Sequence, residues 1–114
     1  MKPHLINGEW RASTNAIENR NPSDLDDVID VFADGTAEDT AAAIEAAKAA
    51  APDWAISTPQ VRHDILLGAA MEIRQRQKEI GWELSREEGK TLSEGIAEVG
   101  RAANIFDFFA GEAL

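Results

Sequence analysis

The chain contains no cysteine and no tyrosine. The first absence excludes disulfides, thiolate metal ligands and a cysteine nucleophile within these residues. The two histidines, His4 and His63, have no second histidine at ligand spacing, so polar surface roles are favoured over metal binding. No stretch approaches the ~20 apolar residues of a membrane-spanning helix, and the N-terminus lacks the apolar region of a signal peptide. No membrane partner is therefore expected, and a cytoplasmic location is. Basic residues are few: 21 acidic side chains face 11 basic ones, a net charge of −10 that opposes nucleic-acid binding. A solvated surface and adaptation to a high-salt cytoplasm both account for this acidity, and the scarcity of lysine (Lys2, Lys48, Lys78, Lys90) suits the second. Glycine-rich phosphate cradles are missing too. There is no G-x-G-x-x-G, and Gly89-Lys90-Thr91 has Leu84 where a P-loop needs its first glycine.

What is present is a chain with enough apolar residues, 44% of 114, to bury a core. Residues 1–35 read as short strands. His4-Leu5-Ile6 and Glu9-Trp10-Arg11 flank Asn7-Gly8, a pair suited to the positive φ angles of a hairpin turn. Residues 16–20 and 28–32 form a second pair around the breaker Asn21-Pro22-Ser23. Strands this short need a partner surface.

Residues 36–114 read as about four helices. Thr36 caps the first, which is alanine-rich, carries Ala41, Ile44, Ala47 and Ala51 on one side, and is expected to stop at Pro52 with Trp54 packed beneath the turn. Thr58-Pro59 starts the second, with the stripe Val61, Ile65, Leu66, Ala69 and Ile73 running to about Gln77. Ile80 and Leu84 continue helically to Glu88, with Gly89 as the stop. The last helix, from Thr91, carries Leu92, Ile96, Val99, Ala103, Phe106, Ala110 and Leu114 on one stripe and has no closing signal before Leu114. The expectation is the front part of a longer α/β structure, with more apolar faces than the small sheet can cover. Each large side chain left uncovered forgoes roughly 1.5–3 kcal/mol, so the isolated chain is expected to be aggregation-prone or only partly ordered.

Taken alone, the residues give no catalytic constellation. Trp10, Trp54 and Trp82 suit packing or interfaces. Glu87, Glu88, Glu94 and Glu98 suit a solvated helix face.

The order of several segments, however, resembles the N-terminal part of the NAD(P)-dependent aldehyde dehydrogenases. They are Ile6-Asn7-Gly8-Glu9-Trp10, Asn21-Pro22-Ser23, Ala46 to Trp54, Glu87-Glu88-Gly89-Lys90, Glu98-Val99-Gly100-Arg101 and Phe108 to Ala113. The resemblance implies a Rossmann-type α/β parent fold, of which this chain is the N-terminal layer. Residues 36–114 would then be the helical part of the cofactor-binding domain. It implies NAD or NADP as cofactor, and dimers or tetramers as the complete assembly. It also implies aldehyde oxidation through a cysteine thiolate, with a glutamate activating water. Those catalytic residues lie downstream in the family, so no dehydrogenase activity is expected of this chain by itself.

Two roles fall within the chain by resemblance. A monovalent cation would be held by the carbonyls of Asn19 and Arg20 and by the carboxylate of Glu87. Arg101 would face the substrate entrance and pair with the far carboxylate or phosphate of an acidic aldehyde. The Phe108-to-Ala113 tail is similar to that of semialdehyde dehydrogenases, with 2-oxoglutarate semialdehyde the first expectation and succinate semialdehyde the second. An ordinary ion pair with Glu98 is the competing role for Arg101. A non-catalytic acidic assembly module is the competing role for the chain.

Overall fold

A computed structural model describes all residues from Met1 to Leu114. The elements run β1 (His4–Ile6), β2 (Glu9–Arg11), β3 (Ala16–Asn21), β4 (Asp24–Ala33), α1 (Ala37–Ile56), α2 (Pro59–Gln75), α3 (Gln77–Glu88) and α4 (Leu92–Glu112). They group into two compact units. One comprises Met1–Arg20 with Leu25–Ile56, the other Asn21–Asp24 with Ser57–Leu114. The sequence-based boundary at residue 35 falls in the link between β4 and α1, whereas the compact units place α1 with the strands.

In the first unit β1 and β2 pair antiparallel, with Leu5 opposite Trp10. Asn7 (φ 54°) and Gly8 (φ 76°) both take the positive φ that this two-residue turn requires. β3 pairs with β4, and Lys2 adds a single parallel bridge to Phe32. Only Ile6 and Ala33 are buried here. Thr36 and Asp39 cap α1 reciprocally: the Asp39 N–H donates to Thr36 Oγ1 at 3.1 Å, and the Thr36 N–H to Asp39 Oδ2 at 3.0 Å. Contrary to the sequence expectation, α1 does not stop at Pro52 but continues to Ile56. Proline removes one hydrogen bond from a helix, but the alanine-rich turns on its N-terminal side have the highest helix propensity available. Trp54 is half exposed within that last turn rather than tucked under it, and no residue of α1 is buried.

In the second unit α2 and α3 both pack on α4. The stripe reading holds in part: Val99, Ala103 and Ala110 are buried, while Leu92, Phe106 and Leu114 are open to solvent. Similarly Leu66, Ala69 and Ile73 of α2 are half buried, while Val61 and Ile65 are exposed. The deepest contacts are made by small residues. Ala70 and Ala103 are fully covered, and a Cβ on Gly81 would stand 2.7 Å from Ile96 Cα. Small side chains let the helix backbones approach until large ones no longer fit between them.

Candidate functional site

Arg101 lies on α4, and the start of α4 is fixed by a series of local contacts. Asn21 Oδ1 accepts the Ser23 N–H at 2.9 Å, which closes the Asn-Pro-Ser turn. The Ser23 hydroxyl donates to the Gly89 carbonyl at 2.6 Å. Gly89, at φ 69°, ends α3 in the left-handed conformation expected of a helix stop. Two residues on, Thr91 opens α4 with a capping box: its N–H and hydroxyl donate to Glu94 Oε2 at 3.1 and 2.6 Å. The hydroxyl bond first, then the backbone one, hold the Glu94 carboxyl below the usual range. The Thr-x-x-Glu pattern carries this signal in sequence, and the stripe-based reading passed over it.

Lys90 sits between these caps. Its ammonium reaches Glu98 at 2.6 Å and also pairs with Glu88, and those two hydrogen bonds, Glu88 first, raise its pKa. The amine that a P-loop would offer to phosphate is thus occupied. The N-terminus of α1 is no better a phosphate cradle, because the Asp39 carboxylate already fills it. Neither position offers a free cradle for a cofactor phosphate.

Further along α4, Arg74 of α2 donates to Asn104 Oδ1 at 3.1 Å and makes an ion pair with Asp107 Oδ2. The hydrogen bond from Arg74 holds Asp107 below the usual carboxylate range. Glu98, Arg101, Asn104 and Asp107 are spaced by three and follow one ridge of the helix. Both carboxylates of the ridge are taken, Glu98 by Lys90 and Asp107 by Arg74. Arg101 itself is exposed and has neither a hydrogen bond nor an ion pair. It lies on the side of α4 opposite Val99, Ala103 and Ala110, with exposed Ile105 and Phe108 one and two turns on. The expected alternative, an ion pair with Glu98, is not formed.

The residues expected to hold a cation lie in different units. Asn19 and Arg20 belong to β3, where the Arg20 guanidinium donates to Leu25 O at 2.8 Å and to Glu18 at 2.5 Å. Glu87 is exposed in the last turn of α3. No group of three His, Asp or Glu side chains gathers at metal-binding distance. His63 accounts for itself structurally, its Nδ1 lying 2.9 Å from the Ala110 carbonyl near the end of α4. Asn104 and Arg74 carry no local signal; they meet only because α2 packs on α4.

The fold places the chain among solved structures. Betaine aldehyde dehydrogenase from Staphylococcus aureus, crystallised with NAD+, superposes with a TM-score of 0.89 at 31% identity, over 97% of this chain and 23% of that one. The family description for the aldehyde dehydrogenases matches residues 10–114, and the chain belongs to the aldehyde dehydrogenase family. Among its relatives, an alpha-ketoglutaric semialdehyde dehydrogenase of Bacillus subtilis is 35% identical over 113 residues, covering 97% of this chain. An alpha-ketoglutarate semialdehyde dehydrogenase of Haloferax volcanii is 36% identical over 112 residues, covering 96%. The chain spans 23% of the length of each.

Proposed function

We propose that these residues form the N-terminal layer of an NAD(P)-dependent enzyme that oxidises an acidic semialdehyde to the dicarboxylic acid. The first candidate substrate is 2-oxoglutarate semialdehyde, the second succinate semialdehyde. The complete enzyme would be a homo-oligomer, and Arg101 would receive the substrate's far carboxylate. One observation carries this reading: in a chain of net charge −10, the Arg101 guanidinium is left without a partner while both acids on its ridge are held by other cations. A planar fork of donors in that state suits a two-point grip on a carboxylate. The two relatives named above, both acting on a semialdehyde that bears a carboxylate, support the same class.

In this reading the chain contributes position rather than bond-breaking. Arg101 anchors the charged end, so the aldehyde carbon is presented at a set distance from the residues that attack it. A nicotinamide cofactor, when bound, would supply the hydride acceptor. The thiolate and the water-activating group come from outside these residues, which contain no cysteine.

The test is steady-state kinetics of the complete enzyme with succinate semialdehyde and with butanal, an uncharged aldehyde of equal length. Arg101→Ala should raise KM for the charged substrate about ten- to hundredfold, the range of a hydrogen-bonded charge contact, with little change for butanal. Equal effects on both would remove the proposal.

A further inference from the structure

The ridge of α4 holds a second group whose orientation is already set. Asn104 follows Arg101 by three residues, so their Cβ atoms stand roughly 5–6 Å apart on adjoining parts of one face. Its carboxamide has one acceptor and two N–H donors. Arg74 has donors only, and it binds Asn104 at Oδ1, 3.1 Å away. That contact fixes which way the amide faces: Oδ1 points to α2, and Nδ2 points away from it. No protein acceptor is bonded to Nδ2. Arg74 is also held by its ion pair with Asp107 Oδ2, and the other oxygen of that carboxylate is buried without a partner.

We infer that Asn104 is a specificity-determining residue: its Nδ2 donates to the far carboxylate of the acidic aldehyde beside the Arg101 guanidinium, with Arg74 as the positioning residue. This rests on the reading that Arg101 receives that carboxylate. A carboxylate has two oxygens and about four acceptor positions, so a guanidinium and a neutral amide a helical step apart can share it. The amide adds a donor without adding charge. It therefore favours a carboxylate, which fills both positions, over a halide or an uncharged carbonyl group. Arg74 does not touch the substrate; it keeps the amide from turning its oxygen outward, which would set an acceptor against an anion.

The experiment uses the complete enzyme with succinate semialdehyde, with butanal, and with glutarate as a competitive inhibitor. Asn104→Asp keeps the size and the contact with Arg74 but sets a negative charge beside Arg101. It should raise KM for succinate semialdehyde and the inhibition constant of glutarate by about tenfold or more, a much larger factor than any change with butanal. Asn104→Leu should show the same selective rise, and it carries the test if the Asp variant is insoluble. Arg74→Lys retains the pair with Asp107 but not the defined fork. It should weaken charged substrates selectively and by less, which a purely structural role would not do. Asn104 variants that leave the charged-to-neutral ratio at the parent value, or that affect both aldehydes alike, would overturn the inference. A selective loss in Arg101→Ala alongside unselective Asn104 variants would confine the failure to Asn104. An unselective Arg101→Ala would instead remove the reading beneath it.

Discussion

Replacing Gly95 with alanine should loosen α3 from α4, although alanine is the better helix former. On propensity alone the change would favour α4 by up to about 1 kcal/mol. Opposing it, a Cβ at Gly95 would run into Ser85 Oγ and the Gly81 carbonyl. Neither obstacle is the free end of a flexible side chain. Ser85 is buried, and its one hydroxyl proton is shared between the Gly81 carbonyl at 2.8 Å and the Thr91 carbonyl at 3.1 Å. Turning it aside strands a buried donor, about 1–3 kcal/mol. Separating the helices instead is overpacking, typically about 1–3 kcal/mol. Either cost exceeds the propensity gain, for a net loss of up to about 2 kcal/mol. Amide hydrogen exchange reads this without requiring a reversible unfolding transition, and backbone amides of α3 and the first half of α4 should exchange roughly tenfold faster. Gly68 is the control: it lies inside α2, and a Cβ there meets nothing within 4 Å. Gly68→Ala should slow exchange in α2 about fivefold, as the propensity gain alone dictates. If both substitutions slowed exchange, close approach of α3 and α4 through glycine would be wrong.

Two further outcomes follow from the caps that set α4. Gly89→Ala forces a side chain into positive φ and places its Cβ 2.5 Å from Ser23 Oγ. Loss of helicity by about 1–3 kcal/mol and faster exchange at Ser23 should result, and an unchanged protein would contradict the cap. The Glu94 carboxyl is held below its usual 4.5 in the folded chain, so its contribution is present above pH 4.5 and is lost as pH falls through the lower folded value. In Thr91→Ala, about 1 kcal/mol less stable from the lost cap, this acid-side loss at the start of α4 should be absent; an identical pH profile would show that Thr91 is not its cause.

How much of this was legible in the sequence depended on the range of the interaction. Asn7-Gly8, Thr36, Thr58-Pro59 and Gly89 act through backbone groups a few residues away, and each sits where local rules place it. Pro52 did not end its helix, because the penalty of one proline competes with a long run of alanine. The stripes on α2 and α4 named the right helices but favoured large side chains, whereas the closest packing falls on Ala70, Gly81, Ser85 and Gly95. A hydrophobic pattern cannot register a backbone that approaches because a side chain is missing. Arg101 was reached through resemblance, and its lack of a partner became visible only once Lys90 and Arg74 were seen to occupy the neighbouring acids. The Arg74–Asn104 contact joins residues 30 apart and has no local trace.

In each compact unit large apolar side chains stand open to solvent, as expected of faces that a further part of the protein covers. Ile44 is 60% exposed, Phe108 61% and Leu114 68%, and no large apolar side chain is fully buried. Light scattering of the isolated chain across a concentration series, with a dye that fluoresces on apolar surface, tests this most directly. Strong dye binding and a mass that grows with concentration are the expected result. A dye-silent monomer at every concentration, with a sharp and reversible unfolding transition, would contradict it.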